Sequence, residues 1–299
     1  MLGWLLSARH QIETLAVRAL VSVLKRLSPD LSSLLVGKAV RFIAPLLNRS
    51  HRADENLKLI FPELGVSGRK HIIRKMWENV GRIAGEYPHI ESILSDPKRI
   101  RLSGMNDVKA ALVGHKAALL LSAHFGNWEM TLAAGRAAGL TQANVYRPVD
   151  NQGLDELLVS LRGDVASGGL IAKGDGNMRQ MMRALKDGIS IGMLVDQRED
   201  RGVLIPFLGK DAYTLHGPAL LARRMNVPIF LGVARRREGV NFEVECRHIP
   251  AVRTEDAEED AIATTRAIND QLSEWIKAEP EQWFWFHNRW RLTRKRSAE

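Results

Sequence analysis

From residue 117 onward, short apolar runs alternate with stretches whose apolar positions recur every three or four residues. Apolar runs at 117–122, 143–146, 170–173, 189–195 and 228–233 are separated by helical patterns starting at 127 and over 151–162, 177–187 and 215–226. Strand followed by helix, repeated, predicts an α/β fold: a central mixed, mostly parallel sheet with helices on its faces. Upstream, Ile72, Met76, Val80, Ile83, Ala84 and Tyr87 predict a helix over 69–87, with Ser67 as N-cap and Pro88 as stop. Downstream come a strand over 241–249, an acidic stretch "TEDAEED", a helix to about Lys277 and the aromatic tail "PEQWFWFHNRW".

The first 53 residues follow another pattern. On a helical wheel, residues 4–27 place Leu5, Ala8, Ile12, Leu15, Ala16, Ala19, Val23 and Leu27 on one broad side and Gln11, Arg18, Ser22 and Lys25 on the other. Charge sharpens this picture. Residues 1–53 carry eight Lys or Arg against Glu13 and Asp30, and residues 289–299 carry five against Glu299, so most of the +9 net charge lies at the two ends. Basic residues set among apolar ones suit an anionic lipid surface better than nucleic acid. The apolar runs are too short to span a bilayer, Lys38 and Arg41 interrupt "LSSLLVGKAVRFIAPLL", and no signal-peptide pattern is present. We therefore expect basic amphipathic membrane-associating helices over 1–53 and an α/β domain over 54–299. The alternative is that these helices pack on the domain's own core. A single cysteine, Cys246, excludes an internal disulfide and fits a reducing compartment.

The stretch "LSAHFGNWEMTLAAG" (121–135) carries the candidate chemistry. On one helix His124 and Glu129 would be rotated about 140° apart. They can meet if the run before His124 is a strand, Phe125-Gly126 turn, and Asn127 caps a helix whose first turn holds Glu129. His124 then lies beyond the carboxyl end of a strand, where open α/β sheets collect ligands. A neutral imidazole with a carboxylate on its second nitrogen is a general base, and Glu129 is the expected carboxylate. A structural histidine hydrogen-bonded at a helix start fits the same residues. No dinucleotide fingerprint, phosphate-binding loop, G-x-S-x-G elbow or H-E-x-x-H is present, and no local spacing supplies further metal ligands to His124 and Glu129.

"AHFGNWE" resembles the His-x4-Asp/Glu motif of glycerolipid-type acyltransferases, in the form of the bacterial late acyltransferases of lipid A biosynthesis. "ENLKLIFPEL", "VYRPVDN", "VDQREDRGVLIPFLGKDAYT" and "PEQWFWFHNRW" are similar to family blocks in the family's order, over roughly residues 50–292. The resemblance implies an O-acyltransferase without a cofactor. His124 would deprotonate an acceptor hydroxyl, Glu129 would hold His124, and the hydroxyl would attack an acyl thioester. It also implies Arg162 as a site cation and Asp196 as a further acidic site residue. Arg147 is a candidate phosphate contact, Asn127 belongs to the same site, and Gly209 would allow close backbone approach to a ligand beside the apolar cluster 203–208. The implied partners are acyl carrier protein as donor, a Kdo-lipid IVA-type lipid A precursor as acceptor, and the anionic lipids of the inner membrane's cytoplasmic face, with no nucleic acid. The triplet Arg235–Arg237 reads as exposed loop charge or as a docking site for the acidic carrier. Trp283, Trp285 and Trp290, with Arg289 and Arg291, read as an interfacial belt or as core. Two rival functions remain: acylation of another lipid (a lysophospholipid or a phosphatidylinositol mannoside) from acyl-CoA, and a non-catalytic lipid-binding protein of this fold.

Overall fold

The computed structural model describes residues 2–163, 165–174 and 176–292; Arg294, Lys295 and Arg296 of the basic C-terminus lie outside these. Helices α1 (Leu2–Leu24), α2 (Pro29–Ile43), α3 (Asn48–Ile60), α4 (Val66–Glu86) and α5 (Ile90–Leu94) precede the sheet. The α/β part runs β1 (Ile100–Ser103), α6 (Met105–Leu112), β2 (Leu119–Ser122), α7 (Leu132–Ala137), β3 (Gln142–Tyr146), α8 (Gln152–Gly163), β4 (Leu170–Ala172), α9 (Asn177–Lys186) and β5 (Ser190–Leu194). It continues through β6 (Val203–Phe207), β7 (Lys210–Thr214), α10 (Gly217–Met225), β8 (Ile229–Arg236), β9 (Phe242–Ile249) and α11 (Ala257–Ala278).

Seven strands form one sheet in the order β1-β9-β8-β2-β5-β3-β4. Every neighbouring pair is parallel except β8 and β9, which are antiparallel. The mixed, mostly parallel sheet expected from the alternating pattern is therefore present. The central strands β2, β5 and β8 are almost wholly apolar because both their faces are covered. Their carboxyl ends open on the same side, next to one another. That places the residues following β2 and β5, starting at Ala123 and Val195, side by side. The backbone N–H of Val195 donates to Ser122 O at 2.9 Å.

Helix α4 starts two residues earlier than expected: Gly65 is its N-cap, and Ser67 lies inside the first turn. Pro88 does end it, within a 3-10 turn over Tyr87–His89. Helix α2 lies tightly on α4, where a Cβ on Gly85 would come within 2.5 Å of the Ser32 carbonyl oxygen. Ser33 Oγ donates to Glu86 at 2.6 Å. Thus α2 is part of the core fold, and α3 runs unbroken across residue 53. Helix α1 is different. Of its described side chains only Thr14 and Leu24 are buried, and it is tied to the start of α8 by a Thr14–Asn151 hydrogen bond of 3.1 Å. Its apolar side is not packed on the core. Ile12 is 69% exposed, and Phe42 in the last turn of α2 and Leu46 just after it are 74% and 86% exposed. Among the described residues no helix is long and apolar enough to cross a membrane.

The apolar cluster 203–208 forms a hairpin rather than a groove. Ile205, Phe207 and Leu208 are buried, and Leu208 (φ 53°) and Gly209 (φ 82°) make the left-handed two-residue turn between β6 and β7. Gly209 is required by that turn, and no ligand approach is needed to explain it.

Candidate active site

His124 follows β2 as expected, and the turn after it depends on one glycine. Gly126 has φ 54°, and a Cβ there would lie 1.8 Å from the Ala234 carbonyl oxygen on β8. The Gly126 N–H donates to Gln282 O at 2.9 Å, and Asn79 donates to Gly126 O at 2.9 Å. Asn127 then caps a 3-10 turn, Trp128–Thr131, accepting from the Glu129 N–H at 3.2 Å. Its amide nitrogen donates to Glu86 at 2.7 Å. Asn127 is thus buried, with its side-chain polar atoms engaged by the Glu129 N–H and by Glu86, and it positions the motif loop. Glu86 in turn pairs with the part-buried Arg236, so the motif loop is anchored to α4 and β8 by a charged network.

The carboxylate on His124 is Asp196, not Glu129. His124 Nδ1 lies 2.8 Å from Asp196 Oδ1, and Asp196 Oδ2 accepts from the His124 N–H at 3.0 Å and from Trp283 Nε1 at 2.7 Å. Asp196 is fully buried. Burial alone would raise its pKa, but the His124 charge and these hydrogen bonds outweigh that and hold the carboxyl well below the usual carboxylate range. An ionised Asp196 places the ring proton on Nδ1 and leaves the lone pair on Nε2. The adjacency of β2 and β5 makes this contact, since the two residues end neighbouring parallel strands.

Glu129 faces a different set of donors. Its Oε1 accepts from Tyr87 Oη at 2.7 Å, from Trp128 Nε1 at 3.1 Å and from Arg162 Nε at 3.1 Å, and Arg162 Nη2 also contacts both Glu129 and Tyr87. Burial and the neighbouring carboxylate push the Tyr87 hydroxyl well above its ordinary pKa, so it stays a donor. The Arg162 pKa is raised because Glu129 and Tyr87 outweigh the cost of its burial. Arg162 and Glu129 therefore come together as a pair. Trp128 links this pair to His124, the two ring centroids lying 5.1 Å apart in an edge-to-face arrangement. A small cavity of about 60 Å³ opens between Trp128, Glu129, Arg162, Tyr146 and Met193. Arg147 is exposed in the loop after β3.

Three side chains that no local pattern singled out complete the site. Gln197 Nε2 lies 3.3 Å from His124 Nε2 and 3.3 Å from His287 Nε2. Burial, with the charges of His124, Arg49 and Arg52, pushes His287 down to about 4 against the pull of Asp196. Trp283 supplies the third donor to Asp196. The tail bearing Trp283 and His287 is fixed by Asn56, whose amide donates to Trp285 O at 2.6 Å and to His287 O at 2.8 Å. Trp283, Trp285, Arg289 and Trp290 are all buried, so these residues form core rather than an interfacial belt. Arg289 donates to Tyr213 O at 2.6 Å and sits 4.6 Å over the Phe207 ring. The Arg235–Arg237 triplet is also engaged internally. Arg235 pairs with Glu245 and Glu279, Arg236 with Glu86, and Arg237 with Glu243 and Glu279, so it is not a free docking patch. Burial raises the Cys246 thiol to about 12, which keeps it protonated and unreactive.

The arrangement provides an imidazole held at Nδ1 by a buried carboxylate, with Nε2 facing the exposed Gln197, a small cavity nearby and an Arg–Glu pair. Such a set can remove a proton from a hydroxyl. The model of a family described as bacterial lipid A biosynthesis acyltransferases matches residues 4–292. The chain is 28% identical over 276 residues to the lipid A biosynthesis lauroyltransferase of Escherichia coli, an alignment covering 86% of this chain and 83% of that protein. It is 26% identical over 245 residues to the lipid A biosynthesis acyltransferase of Haemophilus influenzae, covering 78% and 73%.

Proposed function

The chain belongs to the bacterial lipid A biosynthesis acyltransferase family and is an acyltransferase acting on lipid A; from that premise we propose that it moves a fatty acyl group from acyl carrier protein to a hydroxyl of a Kdo-lipid IVA-type precursor, with His124 as general base. The observation that carries the reading is His124 itself, with Asp196 on Nδ1 and Nε2 facing the exposed Gln197. The acceptor hydroxyl gives its proton to Nε2 as its oxygen attacks the thioester carbon. Collapse of the tetrahedral intermediate re-forms the carbonyl and breaks the C–S bond, and the thiolate leaves with the proton held on Nε2. No acyl-enzyme intermediate is needed. The thioester end of the acyl chain lies beside Trp128, at the mouth of the small cavity. Arg162, neutralised by Glu129, shapes its polar end, and the exposed Arg147 contacts a phosphate of a substrate.

The experiment is acyl transfer by the full-length protein in detergent. The same acyl chain is offered on carrier protein and on coenzyme A, with a precursor lacking one secondary chain. The expected result is a product heavier by one acyl group, formed with preference for the carrier donor. Equal or better use of acyl-CoA would overturn the donor assignment, and transfer to a lysophospholipid but not to the precursor would overturn the acceptor assignment.

The exposed apolar residues of α1 and of the α2–α3 connection, flanked by Arg9, Arg18, Lys38 and Arg49, support peripheral binding to the cytoplasmic face of the inner membrane. Phe42→Glu with Leu46→Glu is expected to leave folding intact, since both side chains face solvent, and to weaken binding to anionic vesicles. Added salt is expected to weaken binding of the unaltered protein, at about 1 kcal/mol per basic residue near the surface. Undiminished vesicle binding by the double variant would place the membrane contact elsewhere.

A further inference from the structure

Attack on a thioester turns its carbonyl oxygen into an oxyanion, which requires a hydrogen-bond donor close to the base. Four backbone N–H groups of the motif loop are engaged elsewhere. The N–H of His124 is bound to Asp196, that of Phe125 to Ala123 O, that of Gly126 to Gln282 O and that of Asn127 to Ala234 O. Nearby side-chain donors are engaged too: Trp283 on Asp196, and Trp128, Tyr87 and Arg162 on Glu129. One donor differs from these in how it is held.

Gln197 is exposed, and its amide sits between His124 Nε2 and His287 Nε2 at 3.3 Å from each. Its orientation follows from proton accounting. His124 Nδ1–H faces the Asp196 carboxylate, so His124 Nε2 carries a lone pair and would repel the amide oxygen. The NH2 end must therefore face His124, with one hydrogen directed at each imidazole. Both contacts are long for N–H donors and correspondingly weak. An acceptor hydroxyl arriving at His124 Nε2 replaces one of them. The N–H so released lies beside the hydroxyl at His124 Nε2, close to the carbon it attacks, while His287 retains the other. Asp196, the preceding residue, fixes the backbone from which the amide projects.

We propose that Gln197 is a catalytic residue whose side-chain N–H receives the oxyanion of the thioester, and that His287 is the positioning residue that holds the amide for this role. The proposal rests on the assignment of His124 as base. It is tested with Gln197→Ala, Gln197→Glu and His124→Ala in the full-length protein, using a dodecanoyl thioester of acyl carrier protein and the under-acylated precursor. Removal of one oxyanion donor is expected to lower kcat about 10²- to 10³-fold in Gln197→Ala. KM for either substrate should stay within about threefold, because the contact forms only as the oxyanion develops. Gln197→Glu is expected to be no better, since a carboxylate has no N–H and opposes the developing charge. The circular dichroism spectrum and Tm should not move, the side chain being at the surface. If Gln197→Ala keeps kcat within about threefold of the unaltered enzyme while His124→Ala is inactive, this inference falls alone. If His124→Ala retains turnover, the base assignment falls and takes this proposal with it.

Discussion

His124→Ala is expected to lower turnover by ~10² to 10⁴, the usual contribution of a general base, with the fold preserved. The side chain is part-exposed and its main anchor, the backbone N–H bond to Asp196, does not depend on the imidazole. Removing the ring takes one of three donors from Asp196 and leaves Trp283 and the backbone in place. Catalysis, however, loses the Nε2 lone pair that the Asp196 contact at Nδ1 leaves for an incoming hydroxyl. A folded variant with near-normal turnover in the acyl-transfer assay would show that the proton goes elsewhere.

The second large effect is expected at a residue that touches no substrate. In Asp196→Asn, the amide oxygen must stay on the Oδ2 side, where the His124 N–H and Trp283 Nε1 both donate. The NH2 group then faces His124 Nδ1, which must accept, so the ring proton moves to Nε2 and blocks the base. The expected loss is about 10⁴, the order seen when a catalytic histidine is forced into the wrong tautomer. Acid stability gives a second readout. The folded carboxyl is depressed below its unfolded value of 3.8, so the stability it contributes is complete above that pH and is lost as pH falls through the folded value. The Asn variant should lack this acid limb, as followed by Tm against pH. An unchanged turnover would mean that the tautomer is set by something other than Asp196.

What could be read along the chain was local. Strand and helix periods placed the α/β order, and the Phe125–Asn127 turn put His124 at the end of β2 with Asn127 as cap. The partner of His124 was not local. Asp196 is brought to it by β5 lying beside β2, a crossover that no periodicity encodes, whereas the short His124–Glu129 spacing suggested the wrong pair. Glu129 instead answers Arg162 and Tyr87, on two other elements. Arg235–Arg237 resembled loop charge because the strand pattern was cut short. β8 in fact runs through Arg236, sending Arg235 toward Glu245 on one face and Arg236 toward Glu86 on the other. The tryptophan-rich tail resembled a membrane belt by composition alone. Its burial follows from Asn56 and Asp196 binding its backbone and one indole, contacts from residues more than 80 positions away.

The central claim is that His124 and Asp196 act as one base, and it is tested most directly by the turnover of His124→Ala combined with Asp196→Asn. Groups that work as a unit are not additive. The account predicts that the double variant is no slower than His124→Ala alone, because without the imidazole there is no tautomer for Asp196 to set. Losses that multiply, with the double variant slower by the product of the two single effects, would contradict it.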